Sequence, residues 1–249
     1  MVSGKPVDKG GKAELGKSPG NSEQNLQRLD RLANLGTLSI GIAHEIKNGL
    51  VPIKTFIELM VQKSDDSELA LTVERELKRI DSLVSQMLRF SSPRPATFAS
   101  VQIHDVLEMS LKLLQHQISA QTISVVRDFK ANPSVIRGDE AQLQQVVMNL
   151  LLNALEAMNQ SGTMTISTQV TQGENGTRLV KIHIQDTGMG IPQENLDRVF
   201  EPFFTTKRNG TGLGLAISQR VALEHSGKIE ARSERGKGST FIISLPLMK

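Results

Sequence analysis

A histidine followed by a glutamate, His44 and Glu45, is the first pair in the chain that could do covalent chemistry. At about 100° per residue, a helix over GIAHEIKNGL turns His44 away from the apolar stripe of Ile42 and Ile46, and it places Asn48 on the face of His44. An imidazole is nucleophilic and partly neutral near neutral pH, and an adjacent carboxylate can hold its Nδ1 proton while Nε2 attacks. An isolated helical histidine is ordinarily a solvated surface residue, so this hypothesis needs a donor group elsewhere in the chain.

Two asparagines in the segment NLLLNALEAM share one face of a predicted helix, because Asn149 and Asn153 are four residues apart. Their amide oxygens are hard, neutral ligands of the kind that Mg²⁺ accepts while it keeps much of its water. The alternative is that both side chains only cap or bridge backbone groups. The spacing therefore indicates a candidate metal site and leaves the structural interpretation open.

The segment IQDTGMGI follows a predicted strand and places Asp186 at the end of that strand. A carboxylate there can accept a hydrogen bond from an exocyclic amine. Gly188 and Gly190 have no Cβ and let the backbone approach a flat ring. The alternative is a common turn closed by aspartate and glycine.

The segment RNGTGLGLAISQRV combines a glycine loop with the start of an apolar helix. The loop contains Gly210, Gly212, Leu213 and Gly214. Amides at the start of a helix point back at such a loop and suit a polyphosphate. The pattern is G-x-G-x-G and lacks a surrounding βαβ unit, so a dinucleotide-binding fold is not predicted.

The segment FEPFFTTK lies between these two loops and combines aromatic and polar side chains. Its phenylalanines are expected to anchor a lid, and its polar residues are expected to meet a terminal phosphate. The residues concerned are Phe200, Phe203, Phe204, Thr205, Thr206 and Lys207.

The first 92 residues divide into a tail and a helical hairpin. Residues 1–21 are rich in Gly, Lys, Ser and Pro and are predicted to be disordered. Residues 11–18 match the phosphate-loop pattern, but no buried strand precedes them and no helix follows, so we do not expect a nucleotide there. Residues 22–92 carry two helical apolar stripes joined by a turn at 64–67. Two antiparallel helices cannot enclose a core alone, so a four-helix bundle in a homodimer is expected.

The second region, 93–249, begins within a proline-rich linker at 91–95, and its sequence predicts both helices and strands. Helices are predicted over 103–118, from the N-cap Asp139 to about 158, and over 213–225. Strands are predicted over 122–129, 163–170, 179–185, 228–233 and 239–245, with a loop-rich stretch from 187 to 212. This order indicates an α/β sandwich, with a mixed sheet and helices on one face.

Composition narrows the function further. The chain has no cysteine, which excludes disulfides, thiolate catalysis and cysteine metal sites. A net charge of +3 and 3% aromatic residues give no reason to expect a nucleic-acid partner. No apolar run reaches the about 18 residues that a membrane helix needs, so a cytoplasmic location is expected. The remaining histidines lack ligand spacing and are expected to be structural or surface residues: His104, His116, His183 and His225.

The order of these segments resembles the ATP-binding fold shared by histidine kinases, gyrase, Hsp90 and the MutL repair proteins. The resemblance covers about residues 95–247, and its boxes match NLLLNALEAM, IQDTGMGI, FEPFFTTK and the glycine loop. It implies ATP and Mg²⁺ as cofactors, with the metal on Asn153 and Asn149 nearby. It also implies adenine on Asp186 and a mobile lid from about 190 to 210.

The first region resembles the phosphoacceptor domain of dimerising two-component histidine kinases. The amino-acid sequence of its motifs is most like that of the nitrogen-regulation sensor class. The segment LANLGTLSIGIAHEIKNGL carries the resemblance. It implies that His44 accepts the γ-phosphoryl group, that Glu45 is the general base, and that Asn48 orients water for dephosphorylation of a partner. It further implies transfer to an aspartate of a separate response regulator, and signals from another protein or an additional sensor domain.

Two positions depart from the family pattern. Gly49 stands where a proline is usual, and Pro52 instead removes a hydrogen bond to the Asn48 carbonyl, so the predicted kink is displaced along the helix. Glu156 stands where many relatives carry a phosphate-binding Lys or Arg. Lys207 or Arg208 is therefore expected to supply that charge.

Two rival functions remain open on the sequence. One is an ATP-driven clamp of the gyrase or Hsp90 type, although those relatives carry a catalytic Glu where Asn149 stands and have no phosphoacceptor box. The other is a silent scaffold that dimerises and binds regulators, against which the complete set of nucleotide motifs argues.

Overall fold

A computed structural model of the protein describes residues 96–173, 176–207 and 210–248, together with the single positions 73 and 80. Val73 and Ile80 are helical and half-buried. The rest of the predicted tail and hairpin, including His44, Glu45 and Asn48, lies outside the described residues. The predicted boundary at 92/93 and the predicted four-helix bundle also lie there and stay predictions.

The described region contains seven strands and four helices. The strands are β1 (Ala99–Gln102), β2 (Thr122–Phe129), β3 (Val135–Gly138), β4 (Ser161–Gln172), β5 (Arg178–Asp186), β6 (Lys228–Glu234) and β7 (Gly238–Pro246). The helices are α1 (Ile103–Ala120), α2 (Glu140–Met158), α3 (Gln193–Leu196) and α4 (Gly214–Glu224). Within these residues, no helix combines the length and apolar character needed to cross a bilayer.

Five of the strands form one mixed sheet in the order β2-β4-β5-β7-β6. Strand β2 is parallel to β4, while the β4–β5, β5–β7 and β7–β6 pairs are antiparallel. A parallel pair needs a crossover connection, and α2 lies in the chain between β2 and β4. This arrangement confirms the predicted mixed sheet.

Alternation along the central strands gives the sheet one buried face. In β5 the side chains of Val180, Ile182 and Ile184 are buried, whereas those of Lys181 and His183 between them are only half-buried. Helices α1, α2 and α4 pack together against this sheet. The predicted sandwich with its helices on one face is therefore confirmed.

Two short strands, β1 and β3, were not predicted. They form a separate antiparallel pair, in which Val101 lies opposite Ile136 and both side chains are buried. An isolated bridge from Ile136 to Leu247 ties this pair to the end of β7. The entry and the end of the described domain therefore meet at one place.

Helix α2 begins at the predicted cap. The Asp139 carboxylate accepts a hydrogen bond from Gln142 N at 3.0 Å through one oxygen and from Thr97 N at 2.8 Å through the other. These bonds satisfy an otherwise unpaired amide of the first turn. They also lower the pKa of Asp139 against the opposing effect of its burial. The start of α2 is thus fixed to the segment that enters the domain.

His225 is buried at the end of α4, and its ring contacts three parts of the domain. Its Nε2 accepts a hydrogen bond from Asp139 N at 2.9 Å, and its Nδ1 lies 2.8 Å from Val221 O. Its ring also packs against Phe98, with centroids 4.8 Å apart. His225 therefore connects α4, the cap of α2 and the entering segment, as a structural histidine does.

Candidate active site

Asp186 is the buried acid of the site, and β5 places it there as its last residue. Its side chain is only 2% exposed, and its Oδ1 accepts hydrogen bonds from Gly188 N at 2.9 Å and Ser239 N at 3.3 Å. Burial raises the pKa of this carboxyl, while the two backbone donors and the charge of Lys207 act in the opposite direction. Both hydrogen bonds from the described residues fall on Oδ1, so Oδ2 is the oxygen that can accept from a ligand.

Close contacts inside the protein leave no room for a side chain at Gly188 or Gly190. A Cβ on Gly188 would lie 2.5 Å from Ala157 O of α2. Gly190 has a φ of +68°, and a Cβ on it would lie 2.2 Å from Glu234 O. The adjoining amide of Met189 donates to Ala157 O at 3.1 Å. The loop after β5 is thus fastened directly to the last turn of α2.

Gly212 and Gly214 differ in how much room each has for a side chain. Gly212 has a φ of +67°, and a Cβ there would lie 2.3 Å from the carbonyl carbon of Phe203. A Cβ on Gly214 would meet its nearest neighbour, the Asn149 side chain, at an ordinary 3.8 Å. The protein fold therefore requires a glycine at 212, whereas it has room for a methyl group at 214, the first residue of α4.

Asn149 joins α2 to the first turn of α4. Its Nδ2 donates to Gly214 O at 3.1 Å and to Ser218 Oγ at 3.4 Å. The sequence alone left open whether this side chain bridges backbone groups, and the structure shows that it does. Its Oδ1 is not engaged by these two bonds.

Asn153 lies one turn further along α2 and contacts the lid segment. Lys207 Nζ donates to Asn153 Oδ1 at 2.8 Å, and the same ammonium is paired with Glu156 Oε2. Two oxygens of α2 therefore converge on one cationic atom, which is the donor chemistry that a hard divalent cation requires. Within the described part of the chain, no group of three or more His, Asp or Glu side chains gathers in a way that could hold a metal ion.

The three phenylalanines of the lid segment have separate environments. Phe200 packs against the core, as an anchor should. Phe203 is 48% exposed with a φ of +66°, and its amide donates to Gly212 O at 3.0 Å. The Arg198 guanidinium lies 4.5 Å from the ring centre of Phe204. Thr205, Thr206 and Lys207 are exposed beyond them, and Arg208 lies outside the described residues.

Helix α2 is where all the predicted motif segments of this domain meet. Ala157 binds the loop after β5, Asn153 binds the lid segment, and Asn149 binds the start of α4. Sequence reasoning missed Ala157, Ser218 and Ser239 as contributors. Ser239 acts through a backbone amide that β7 brings opposite Asp186, and no side-chain pattern signals such a contact.

Two family models match the chain in succession. Residues 34–95 match the His Kinase A (phospho-acceptor) domain, and residues 138–249 match the histidine kinase-, DNA gyrase B-, and HSP90-like ATPase. The chain belongs to the two-component sensor histidine kinases. The second match covers α2, β4–β7 and α4, which carry the site described above.

Individual relatives of this histidine kinase agree with the family assignment. Sporulation kinase C of Bacillus subtilis is 36% identical over 228 residues, which are 91% of this chain and 52% of the relative. Sensor histidine kinase ZraS of Escherichia coli K12 is 35% identical over 231 residues, or 90% of this chain and 48% of the relative. The chain thus spans about half the length of these curated relatives.

A solved structure of histidine kinase ThkA in complex with the response regulator protein TrrA is similar to this chain in fold. The TM-score is 0.65 at 28% identity, and the match covers 91% of this chain and 66% of that one. The predicted family and fold class are therefore confirmed. The nitrogen-regulation subclass stays a prediction.

Proposed function

We propose that the chain is an ATP-dependent histidine kinase, which transfers the γ-phosphoryl group of ATP to His44 and passes it to an aspartate of a response regulator. The observation that carries this proposal is the convergence of three motif segments on α2 in a chain that also matches a phosphoacceptor domain. A nucleotide site and a candidate acceptor histidine then belong to one polypeptide. Because ATP is the donor, the proposed reaction takes place in the cytoplasm.

Adenine recognition falls to Asp186 in this proposal. Its Oδ2 accepts a hydrogen bond from the exocyclic amine, while the amides of Gly188 and Ser239 hold Oδ1. A carboxylate held in a dry position discriminates well, since a base without that amine would leave a buried acceptor unpaired. The site should therefore prefer adenine to guanine nucleotides.

Phosphate binding falls to the first turn of α4 and to the lid segment. The amides that begin at Gly214 point toward the loop, and the positive end of the helix favours an anion there. Thr206 and Lys207 are exposed on the lid and can reach the terminal phosphate once Lys207 leaves α2. The loop residues Gly210, Gly212 and Leu213 set the path of the backbone into the helix.

Asn153 is the proposed ligand of Mg²⁺, and the free Oδ1 of Asn149 lies one turn away on the same face. When bound with ATP, the ion neutralises charge on the phosphates and on the departing diphosphate. Asn149 also keeps α4 beside α2, so the metal ligand and the phosphate-binding helix share one framework.

The transfer step is an in-line displacement at the γ-phosphorus. The Nε2 lone pair of neutral His44 forms the P–N bond as the bond to the bridging oxygen breaks, and ADP departs with that electron pair. The Nδ1 proton of the resulting imidazolium goes to Glu45. Asn48 orients a water for the reverse task, which is dephosphorylation of the regulator.

Partners follow from the same proposal. The predicted hairpin at 22–92 pairs with that of a second chain in a homodimer, and a response regulator is the second partner, as TrrA is for ThkA in their complex. A sensor protein or additional sensor domain supplies the signal.

Labelling with γ-labelled ATP tests the proposed function. The kinase should acquire label that is acid-labile and base-stable, and His44→Gln should abolish it. His116→Gln is the matched control, because His116 is an exposed histidine of α1. Free phosphate without protein-bound label would instead support the clamp, and absence of both would support the scaffold.

A further inference from the structure

Asn153 and Glu156 of α2 already share a cation in this structure. They are three residues apart and project from one side of the helix. The Lys207 ammonium lies 2.8 Å from Asn153 Oδ1 and is paired with Glu156 Oε2. The Glu156 and Lys207 side chains remain 58% and 43% exposed, so this pair is accessible to exchange with other ions.

A divalent ion on Asn153 and the Lys207 ammonium on the same oxygen exclude each other. Both would occupy the space in front of Asn153 Oδ1, and two positive centres at such a separation repel. Metal binding on Asn153 therefore displaces Lys207. It leaves the Glu156 carboxylate beside the ion without its former partner.

We propose that Glu156 is a further member of the metal site, which exchanges Lys207 for the Mg²⁺ of MgATP and thereby makes the chain select magnesium-bound over free nucleotide. This inference rests on the proposed function. It adds a carboxylate to a site for which sequence reasoning offered only two asparagines. It also gives a role to the position that departs from the basic residue of many relatives.

Charge explains the selectivity. The phosphates of free ATP approaching Asn153 meet the negative charge of Glu156 nearby, and like charges repel. With Mg²⁺ between them the sign reverses, because a carboxylate oxygen is a favoured ligand of this ion, directly or through a bound water. A basic residue at position 156 would do the opposite, since it would attract the phosphates with or without metal.

Lys207 takes part in the exchange as the leaving cation. Once displaced from Glu156, its ammonium becomes available to the terminal phosphate, to which the lid segment brings it. The same event therefore admits the metal and supplies a positive charge to the nucleotide.

Equilibrium binding of a non-hydrolysable ATP analogue tests the inference, with calorimetry on the full chain in excess Mg²⁺ and again in EDTA. The measured quantity is the dissociation constant in EDTA divided by the dissociation constant in Mg²⁺. In Glu156→Gln the analogue should bind about fivefold more tightly in EDTA, as expected from removal of one nearby like charge. It should bind no better in Mg²⁺, so the ratio should fall at least fivefold.

Glu140→Gln is the matched control, because it removes the same charge from the exposed first turn of α2, about 24 Å along the helix from Glu156. Its ratio should equal that of the unmodified chain. An unchanged ratio in Glu156→Gln, or an equal fall in both variants, would overturn the inference.

The Lys207→Gln background separates direct action at the metal from release of the lysine. If Glu156 acts on the metal, Glu156→Gln should still lower the ratio in that background. A vanished effect would mean that Glu156 works only by holding Lys207, which contradicts the proposal. Failure of the unmodified chain to bind the analogue in Mg²⁺ would instead refute the proposed function itself.

Discussion

At the scale of single residues, Asp186, the proposed adenine-binding residue, shows how a buried carboxylate can lower stability. Its carboxylate is almost fully buried, and burial raises its pKa because the ionised form loses water. Ionisation of Asp186 is therefore less favourable in the folded state than in the unfolded chain. The stabilisation that protonation brings is lost as the pH rises through the folded-state pKa.

Asp186→Asn should accordingly separate binding from stability. The asparagine keeps an oxygen for the amides of Gly188 and Ser239, but its NH₂ group cannot accept from adenine. The affinity for MgATP should fall about 10- to 100-fold, as expected for a lost hydrogen bond to a charged group. Titration calorimetry measures this loss.

The same variant that binds MgATP more weakly should gain stability relative to the unmodified chain as the pH rises. Asparagine cannot ionise, so the difference in melting temperature, variant minus unmodified chain, should become more positive from about pH 4 toward neutrality. Thermal unfolding followed by circular dichroism at several pH values checks the slope. A difference that becomes more negative with rising pH would contradict the burial argument.

The positions of Asp186 at the end of a strand and of Gly188 and Gly190 in the following loop could be predicted from the sequence, but the contacts that require those glycines could not. Asp186 follows from a strand that ends in a polar residue before glycines. The need for Gly188 and Gly190 comes from backbone contacts with α2 and the β6–β7 hairpin, which depend on the folded arrangement. The pairing of Lys207 with Glu156 joins residues 51 positions apart, so no local pattern contains it.

At the scale of elements, the fold requires a glycine at 212 but has room for a side chain at 214, where the proposed phosphate site gives a separate reason for a glycine. Gly214→Ala should leave the melting temperature unchanged or slightly raised, because the new Cβ has room and alanine favours a helix by up to ~1 kcal/mol. It should weaken MgATP binding about tenfold if phosphates approach these amides, an effect of about 1.4 kcal/mol. Thermal melts and calorimetry on one preparation measure both quantities.

Gly212→Ala is the matched comparison in the same loop. Its positive φ and its contact with Phe203 predict a loss of about 1–3 kcal/mol in the free energy of unfolding. Equal binding by Gly214→Ala and the unmodified chain would remove the first turn of α4 from the phosphate site.

Long periodic elements could be predicted, and short paired ones could not. Helix α2 was predicted with its cap, and β2 with its bounds, because their apolar patterns extend over many residues. Strands β1 and β3 have four residues each and become strands only by pairing across more than 30 positions. Helix α3 is a single turn within residues 187–212, which were predicted to be rich in loops.

At the scale of the whole molecule, the proposed reaction needs different parts from the nucleotide domain and from the predicted hairpin. The domain has a core formed by its own sheet and helices, with the site on α2 at its surface. In the proposed reaction the hairpin supplies His44, and its predicted apolar stripe contains Val73 and Ile80, which are seven residues apart and are both helical and half-buried. Assembly and ATP binding should therefore be separable by substitution.

Val73→Glu tests this separation. A charge in an apolar seam leaves a buried ion without a partner, so the dimer should dissociate toward the mass of one chain in light scattering. Binding of MgATP should be unchanged, since the nucleotide domain keeps its own core, while label on His44 should fall because the bundle that presents this residue is lost. Thr72→Glu carries the same charge change, but one residue along the predicted helix turns it about 100° away from the stripe, so this variant should remain dimeric. If Val73→Glu kept the mass of the unmodified chain, the stripe through Val73 would not be the dimer seam.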